Sequence, residues 1–206
     1  MQNFLETTKL TPTTQQFAHM LTGAMYNDLT PELVAARERA VLLTDEYNRS
    51  FSQPPALRQA ILERLLGSVG RGVHFEPSLR CEFGINIHIG NNFYANFDCI
   101  LLDAGGIHIG NDVLLGPRVG IYTANHALDA AERAAGACRA SPVRIGHGVW
   151  VGAGAHINPG VSIGNGSIIG SGSVVTADIA PGVIAAGVPC KVIRAITASD
   201  RTGFLG

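Results

Sequence analysis

The stretch IGHGVWVGAGAHINPGVSIGNGSIIGSGSVVTADIA, residues 145–180, repeats itself every six residues. An aliphatic side chain opens each of its six hexads, and glycine takes the second place in four of them. The openers are Ile145, Val151, Ile157, Ile163, Ile169 and Val175. A period of six fits neither a helix nor an ordinary strand, but it fits a short strand followed by a sharp corner that glycine relieves.

The repeat predicts a solenoid. Three hexads close one triangular coil, the openers point inward on every face, and each coil is covered only by the next. The same frame fits IGNNFY and ANFDCI from Ile89, and IGNDVL, LGPRVG and IYTANH from Ile109. We therefore predict an all-β solenoid of about five triangular coils. A glycine-rich β-sandwich would need alternating strands of longer and less regular spacing.

The chain divides into three parts by composition. Residues 1–16 are rich in Thr and Gln and predict a mobile N-terminal arm. Residues 17–70 predict a segment of short α-helices that precedes the solenoid. Residues 71–206 predict the solenoid domain, with a loop inserted at 127–142 and a C-terminal tail.

Two helices are predicted within the helical segment. Thr30 is suited to cap the first, Pro31 suits its first position, and an acidic residue follows at the positive end of the helix dipole. An apolar stripe in residues 57–66 predicts the second, and Gly67 suits its C-terminal end.

Composition excludes several classes of function. The net charge of −1 gives no electrostatic basis for binding nucleic acid or an anionic membrane. No apolar run reaches the roughly 18 residues of a membrane-spanning helix, and the first residues lack the pattern of a secretory signal, so we expect a cytoplasmic protein. No CxxC pair occurs, so we expect no structural zinc site or redox motif. In a cytoplasmic protein we expect the thiols to be reduced. The four cysteines are Cys81, Cys99, Cys138 and Cys190.

One of the seven histidines stands where the repeat stops. His126 closes the hexad IYTANH, after which ALDAAERAAGACRASP leaves the frame. A loop at this point supplies one wall of a cleft beside imidazole, the side chain best suited to general-base catalysis near neutral pH. The other six lie at corner or outward places of hexads or outside any motif, where a solvated structural role is the ordinary interpretation.

Several segments resemble one known family. NIHIGNNFYANFD, IYTANHALDAAER, PVRIGHGVWVGAGAHINPGVSIG and AAGVPCKVIRAI are similar to the maltose and galactoside O-acetyltransferases, hexapeptide-repeat acyltransferases that include nodulation-factor acetyltransferases. The helical segment GAMYNDLTPELVAARERA resembles that family as well. The resemblance implies a left-handed parallel β-helix and a homotrimer with active sites between subunits. It also implies acetyl transfer from acetyl-CoA to a hydroxyl of a sugar or related small acceptor, with no metal.

The resemblance also assigns roles to residues. His126 matches the family's catalytic histidine, the general base that deprotonates the attacking hydroxyl. Acceptor-contacting positions match Asp28, Arg37, Glu82, Tyr94, Asn96 and Asp103. Positions that contact coenzyme A match Trp150, Ala153, Ser171, Thr176, Ala177, Lys191 and Arg194. Within this last group the Ala153 N–H faces the thioester carbonyl, and the two basic side chains bind phosphates.

The chain departs from the family's pattern in and after the loop. Alanine or cysteine stands in place of polar residues at Ala134, Ala135, Ala137, Cys138 and Ala177. Because a carboxylate is missing near the end of the loop, Asp103, Glu132 or a backbone carbonyl remains to orient His126. An acyl-carrying role for Cys138 is disfavoured, since no base is placed in sequence to activate it and direct transfer needs no covalent intermediate.

Two other functions compete with acetyl transfer. Carbonic anhydrases also occur on left-handed β-helices, but they need three histidine ligands around zinc and carry two histidines five residues apart, a spacing absent here. A non-catalytic structural β-helix is favoured by the alanines of the loop and opposed by His126, Asn96 and the basic pair Lys191 and Arg194. Thiol release from acetyl-CoA with a panel of sugars separates the enzyme from the scaffold.

Overall fold

The computed structural model describes residues 15–204. The helices are α1 (Gln15–Leu21), α2 (Pro31–Arg49), α3 (Pro55–Leu65) and α4 (Ala130–Ala134). The strands are β1 (Tyr26–Asn27), β2 (Ser68–Val69), β3 (His74–Phe75), β4 (Leu79–Cys81), β5 (Ile87–Ile89), β6 (Tyr94–Ala95), β7 (Cys99–Leu102), β8 (Ile107–Ile109), β9 (Leu114–Leu115), β10 (Gly120–Tyr122), β11 (Ala124–His126), β12 (Ala137–Ala140), β13 (Val143–Ile145), β14 (Trp150–Val151), β15 (His156–Ile157), β16 (Ser162–Ile163), β17 (Ile168–Ile169), β18 (Val174–Val175), β19 (Val183–Ala186) and β20 (Lys191–Ala195).

Parallel stacks of strands form the three faces of a triangular prism. Face I holds β2, β5, β8, β13 and β16; face II holds β3, β6, β9, β14, β17 and β19; face III holds β4, β7, β10, β15 and β18. Strand β20 turns back to pair antiparallel with β19 at the end of face II. The predicted left-handed parallel β-helix is confirmed, with about six turns instead of five. The count is higher because β2 already pairs with β5 before residue 71.

The hexad openers form the core of the prism. All six between Ile145 and Val175 are at most 3% exposed, as the repeat predicts. Burying each such side chain stabilises the fold by about 1.5–3 kcal/mol. Close stacking of the coils requires glycine at second places: a Cβ on Gly152 would lie 2.6 Å from the nitrogen of Ser171.

The helices before the prism differ from expectation in detail. Residues 1–14 of the expected arm lie outside the described residues, and α1 begins at Gln15, two residues before the expected boundary. Thr30 is the residue before α2, but its hydroxyl makes no capping hydrogen bond. Leu57 faces solvent on α3, whereas the rest of the predicted stripe is buried. Within residues 15–204, no helix combines the length and apolar character that crossing a membrane requires.

The chain leaves the prism earlier than the hexad frame predicts. Ala124 pairs antiparallel with Ala140 instead of continuing the coil. Residues 124–140, called the excursion below, form β11, α4 and β12, and β1 pairs with the far edge of β12. The prediction that His126 closes a hexad is therefore wrong, because His126 ends an antiparallel strand outside the coil.

Thr123 makes the transition from coil to excursion. Its buried hydroxyl donates to the carbonyl of Leu102 at 2.6 Å and accepts from the N–H of Gly105 at 2.8 Å. A buried hydroxyl without hydrogen-bond partners would destabilise the fold. These two bonds satisfy the Thr123 hydroxyl at the point where the chain turns away from the coil.

Candidate active site

His126 is exposed at the end of β11, beside an open cavity of about 500 Å³. The cavity is lined by Met25, Asn125, His126, Ala127, Leu128, Asp129, Glu132 and Arg139. Asp129 begins α4 by accepting from the N–H groups of Ala131 and Glu132 at 2.9 and 3.0 Å. This cap places Glu132 on the same cavity as His126. The imidazole makes no hydrogen bond to another residue in the described part of the chain, so it is open to a ligand.

A short row of residues crosses the sheet beside His126. His126 pairs with Cys138 on β12, and Cys138 pairs with Tyr26 on β1. The Cys138 thiol is buried and donates to the carbonyl of Asn125 at 3.3 Å. Burial raises the pKa of this thiol and that of Tyr26. The thiolate is therefore disfavoured, and the geometry does not support an acyl-cysteine.

Three predicted acceptor positions meet next to this row. Arg37 on α2 donates to Glu82 Oε1 from Nε at 3.1 Å and from Nη2 at 2.9 Å. It also donates to the carbonyl of Asp28 at 2.9 Å and to the Asp28 carboxylate. Burial raises the pKa of Glu82 to about 7, although Arg37 opposes the shift. These three side chains thus form one partly buried network. Asp28 follows Tyr26 by two residues in the chain, which brings the network close to the row.

Asp103 has a different role from the two that were predicted. Its fully buried carboxylate accepts from the N–H groups of Phe83, Gly84 and Asn86 at 2.8, 3.1 and 3.1 Å. Burial raises the pKa of Asp103, and these three donors oppose the shift. Because it orders a backbone turn and has no exposed surface, Asp103 offers nothing to an acceptor and does not line the cavity of His126.

A second group of predicted residues follows the strands of face II along one edge of the prism. Asn96 comes after β6, Ala153 after β14 and Ser171 after β17, so they descend the edge between faces II and III. The N–H of Ala153 has no protein acceptor within residues 15–204 and is available to a ligand. Trp150 is half-exposed on the outer side of face II, just before this edge.

The basic pair lies at the far end of the same face. Lys191 and Arg194 are exposed on β20, where they pair with Ala186 and Ile184 of β19. The guanidinium of Arg194 contacts both carboxylate oxygens of Asp200 at 2.8 Å. Face II therefore carries two cations on the C-terminal side of the exposed Trp150.

The remaining predicted residues divide between the two edges of face III. Tyr94 is on the outer side of β6, two residues before Asn96, whereas Thr176 and Ala177 follow β18 at the edge between faces III and I. The excursion also leaves from this second edge. We call the groups the Asn96 half-site, on the edge between faces II and III, and the His126 half-site, on the edge between faces III and I.

Within one chain the two half-sites are apart. The edges lie on opposite sides of face III, so the width of that face separates them. No residue of the Asn96 half-site lines the cavity of His126. The cavity of His126 therefore belongs to the His126 half-site alone.

Sequence reasoning singled out neither Met25 nor Arg139 at the His126 cavity, although it expected the loop 127–142 to form one wall. Both residues line the cavity. Arg139 pairs with Asn125 across the hairpin, and the hairpin turn includes Gly136 at φ +89°. A glycine after the short alanine-rich helix is the signal that indicates a turn here. Nothing in the sequence connects Met25 with the cavity. Among residues 15–204, no set of three His, Cys, Asp or Glu side chains is arranged to hold a metal ion.

Comparisons with known proteins agree with this architecture. Residues 19–70 match the maltose acetyltransferase hexapeptide capping motif, and residues 142–177 match the bacterial transferase hexapeptide of six repeats. Nodulation protein L of Rhizobium meliloti is 42% identical over 87% of this chain and 98% of its own length.

Two solved structures share the fold over most of the chain. A maltose O-acetyltransferase from Clostridium difficile 630 is 45% identical and covers 89% of this chain and 98% of its own, with a TM-score of 0.85. A galactoside acetyltransferase in complex with coenzyme A is 38% identical and covers 91% and 94%, also with a TM-score of 0.85. The chain is therefore an acyltransferase that belongs to the maltose and galactoside O-acetyltransferase family of hexapeptide-repeat proteins.

Proposed function

We propose that this enzyme transfers the acetyl group of acetyl-CoA to a hydroxyl of a sugar-like acceptor, with His126 as general base. The exposed imidazole on an open cavity carries the proposal. Cys138 and Tyr26 connect it across the sheet to the region of the Asp28–Arg37–Glu82 network. His126 takes the proton of the acceptor hydroxyl while its oxygen attacks the thioester carbon. The C–S bond then breaks, and the protonated imidazole returns the proton to the coenzyme A sulfur.

The Asn96 half-site supplies the donor side. The unpaired N–H of Ala153 is suited to stabilise the oxyanion that develops on the thioester carbonyl. Trp150 gives the pantetheine arm an apolar surface, with Ser171 beside it on the edge. Lys191 and Arg194 bind phosphates of coenzyme A. Thr176 and Ala177 contribute backbone contacts from the other edge. The related galactoside acetyltransferase binds coenzyme A, which supports this assignment.

The acceptor side combines groups from both half-sites. Asp28 and Glu82, held by Arg37, accept hydrogen bonds from hydroxyls, and Tyr94 and Asn96 contact the acceptor from the other edge. Maltose and galactoside in the names of the relatives support a sugar. The segments RCEFG and LLDAGG resemble the maltose branch more closely, so maltose is the first acceptor to test. We assign orientation of His126 to Glu132, which lines the same cavity.

The separation of the half-sites supports a homotrimer. A productive site needs a second chain, whose Asn96 edge faces the His126 edge of the first. Exposed apolar side chains on faces II and III, including Phe97, Ile100, Leu114 and Trp150, give such neighbours a surface to cover. The cysteines are unpaired in the described part of the chain, which supports a cytoplasmic enzyme.

Mixed assemblies test both the chemistry and the shared site. Thiol release from acetyl-CoA is measured with maltose and methyl galactoside. His126→Ala protomers and Lys191→Ala/Arg194→Ala protomers are then refolded together. We expect each variant alone to be impaired and the mixture to recover part of the activity, because some interfaces combine two intact halves.

Three results would contradict parts of the proposal. A fully active monomer in light scattering would overturn the shared site. A trimer without recovery in the mixture would place both groups in one chain. Absence of thiol release with every acceptor would remove the catalytic proposal and favour a structural β-helix.

A further inference from the structure

Glu76 occupies in the first coil the place that Asn96 occupies in the second. Its N–H donates to the carbonyl of Ala95 at 2.8 Å, just as the N–H of Asn96 donates to the carbonyl of Leu115 at 2.9 Å. Neighbouring coils are spaced by about 4.8 Å. Glu76 therefore lies directly beyond Asn96 on the same edge, toward the N-terminal end of the prism.

The carboxylate of Glu76 is held from one side. Its Oε1 lies 3.2 Å from His74 Nε2 and accepts from the Tyr94 hydroxyl at 3.5 Å. Nδ1 of His74 lies 3.3 Å from the guanidinium of Arg58. Because a guanidinium only donates, Nδ1 accepts and the ring proton resides on Nε2, where it points at Glu76.

A buried cation fixes this chain of contacts. Arg58 on α3 is 8% exposed and donates to the carbonyl of Phe75 at 2.8 Å. Its guanidinium also lies over the ring of Tyr47, 4.6 Å from the centroid. The ring of His74 stacks on Tyr94 at 5.7 Å with an interplanar angle of 5°. The helical segment thus orients a carboxylate on the edge of the prism, a form of preorganisation that binding sites use.

The other side of the carboxylate is open. The side chain of Glu76 is 25% exposed, and Oε2 has no hydrogen-bond partner within residues 15–204. A carboxylate with one oxygen held and one free is suited to accept hydrogen bonds from hydroxyl groups, and such charge-assisted bonds are stronger than neutral ones. A ligand that reaches both Glu76 and Asn96 must span one coil spacing along the edge, about the reach of a pyranose ring.

We infer that Glu76 is an acceptor-binding residue, with His74 and Arg58 as its positioning residues. The inference rests on the proposed acetyl transfer to a sugar and extends the acceptor site by one coil beyond Asn96. Hydroxyls on the part of the acceptor remote from the reacting oxygen donate to Oε2 of Glu76, while the reacting hydroxyl faces His126 of the neighbouring chain.

Glu76→Gln is compared with Glu63→Gln, a matched change at a carboxylate that accepts from Gln59 on the exposed side of α3. With maltose as the probe, we expect the acceptor KM of Glu76→Gln to rise about 10-fold, since a hydrogen bond to a charged group is lost. The acetyl-CoA KM and the melting temperature stay close to those of the native enzyme. Glu63→Gln changes none of the three.

Each other outcome overturns the inference. An unchanged acceptor KM in Glu76→Gln shows that Glu76 does not touch the acceptor. A lowered melting temperature with both Michaelis constants raised together shows a structural role instead. Absence of thiol release by the native enzyme with every acceptor would overturn the acetyl-transfer proposal, and this inference with it.

Discussion

The coils and the excursion are built by different rules. In the coils, each strand pairs in parallel with the strand one turn away, and the periodic openers from Ile145 to Val175 are buried. In the excursion, β11 and β12 pair antiparallel, β1 from the helical segment completes the sheet, and His126 remains exposed. The comparison teaches that the periodic part supplies rigid edges, whereas the break in the period carries the proposed general base.

Removing the imidazole from the excursion should have the largest effect. We expect His126→Ala to lower kcat by roughly 10²- to 10⁴-fold, the usual contribution of a placed general base. The acetyl-CoA KM and the melting temperature should be unchanged, because the side chain is exposed. Steady-state thiol release and a thermal melt measure these quantities. His156→Ala, which removes an exposed imidazole from a coil, is the control. Near-normal turnover by His126→Ala would show that the excursion does not carry the base.

Two truncations compare how much the coils and the excursion contribute to stability. Ile157→Ala truncates a fully buried opener and should lower the free energy of unfolding by about 2–5 kcal/mol, because it leaves a cavity between coils. Leu128→Ala truncates a side chain of the excursion that is 97% exposed. This change should alter the free energy of unfolding by less than about 0.5 kcal/mol. Urea denaturation measures both. Equal losses would mean that the excursion is as much a part of the folded core as the coils.

Glu82 lies where the two regions meet, and its burial predicts a pH dependence of stability. Burial raises the pKa of Glu82 from 4.5 to about 7, so the folded chain keeps a proton that the unfolded chain releases. Raising the pH from about 4.5 to about 7 should therefore favour unfolding, by up to about 3 kcal/mol. Glu82→Gln should flatten this part of the profile.

Chemical denaturation at pH 5 and pH 8 measures the effect. Glu38→Gln, a change at an exposed position on α2, should keep the native profile. A Glu82→Gln profile as steep as the native one would show that Glu82 does not retain its proton in the folded chain.

The smallest effect is expected at the exposed end of the prism. Lys191→Ala/Arg194→Ala should raise the acetyl-CoA KM about 10-fold, because charge-assisted contacts to phosphate are lost. The ratio to the native KM should shrink at high salt, since screening already weakens exposed contacts in the native enzyme. Arg201→Ala, at an exposed position outside the proposed site, is the control. A double variant altered only in its acceptor KM would place coenzyme A elsewhere.

Sequence reasoning succeeded where structure follows from a local period. The burial of Ile157 and of the other hexad openers depends on position within a hexad, because the next coil repeats the same rule. It failed for Asp103, whose carboxylate binds three N–H groups of a turn about twenty residues earlier. It also misplaced His126, because a hexad frame cannot indicate that Ala124 pairs with Ala140. Thr30 shows the same limit, since the residue before a helix need not use its side chain as a cap.

The hexad sequence determined the coil, its three faces and the identity of the inward residues, because a parallel solenoid repeats one short-range rule of burial and turning. Only the tertiary structure decided which side chains meet. It placed His126 on an antiparallel strand outside the coil, buried Asp103 beneath a turn and oriented the carboxylate of Glu76 through His74 and Arg58, the latter on a helix outside the repeat. These arrangements depend on antiparallel pairing and on hydrogen bonds between residues distant in sequence, and no local pattern of residues encodes them.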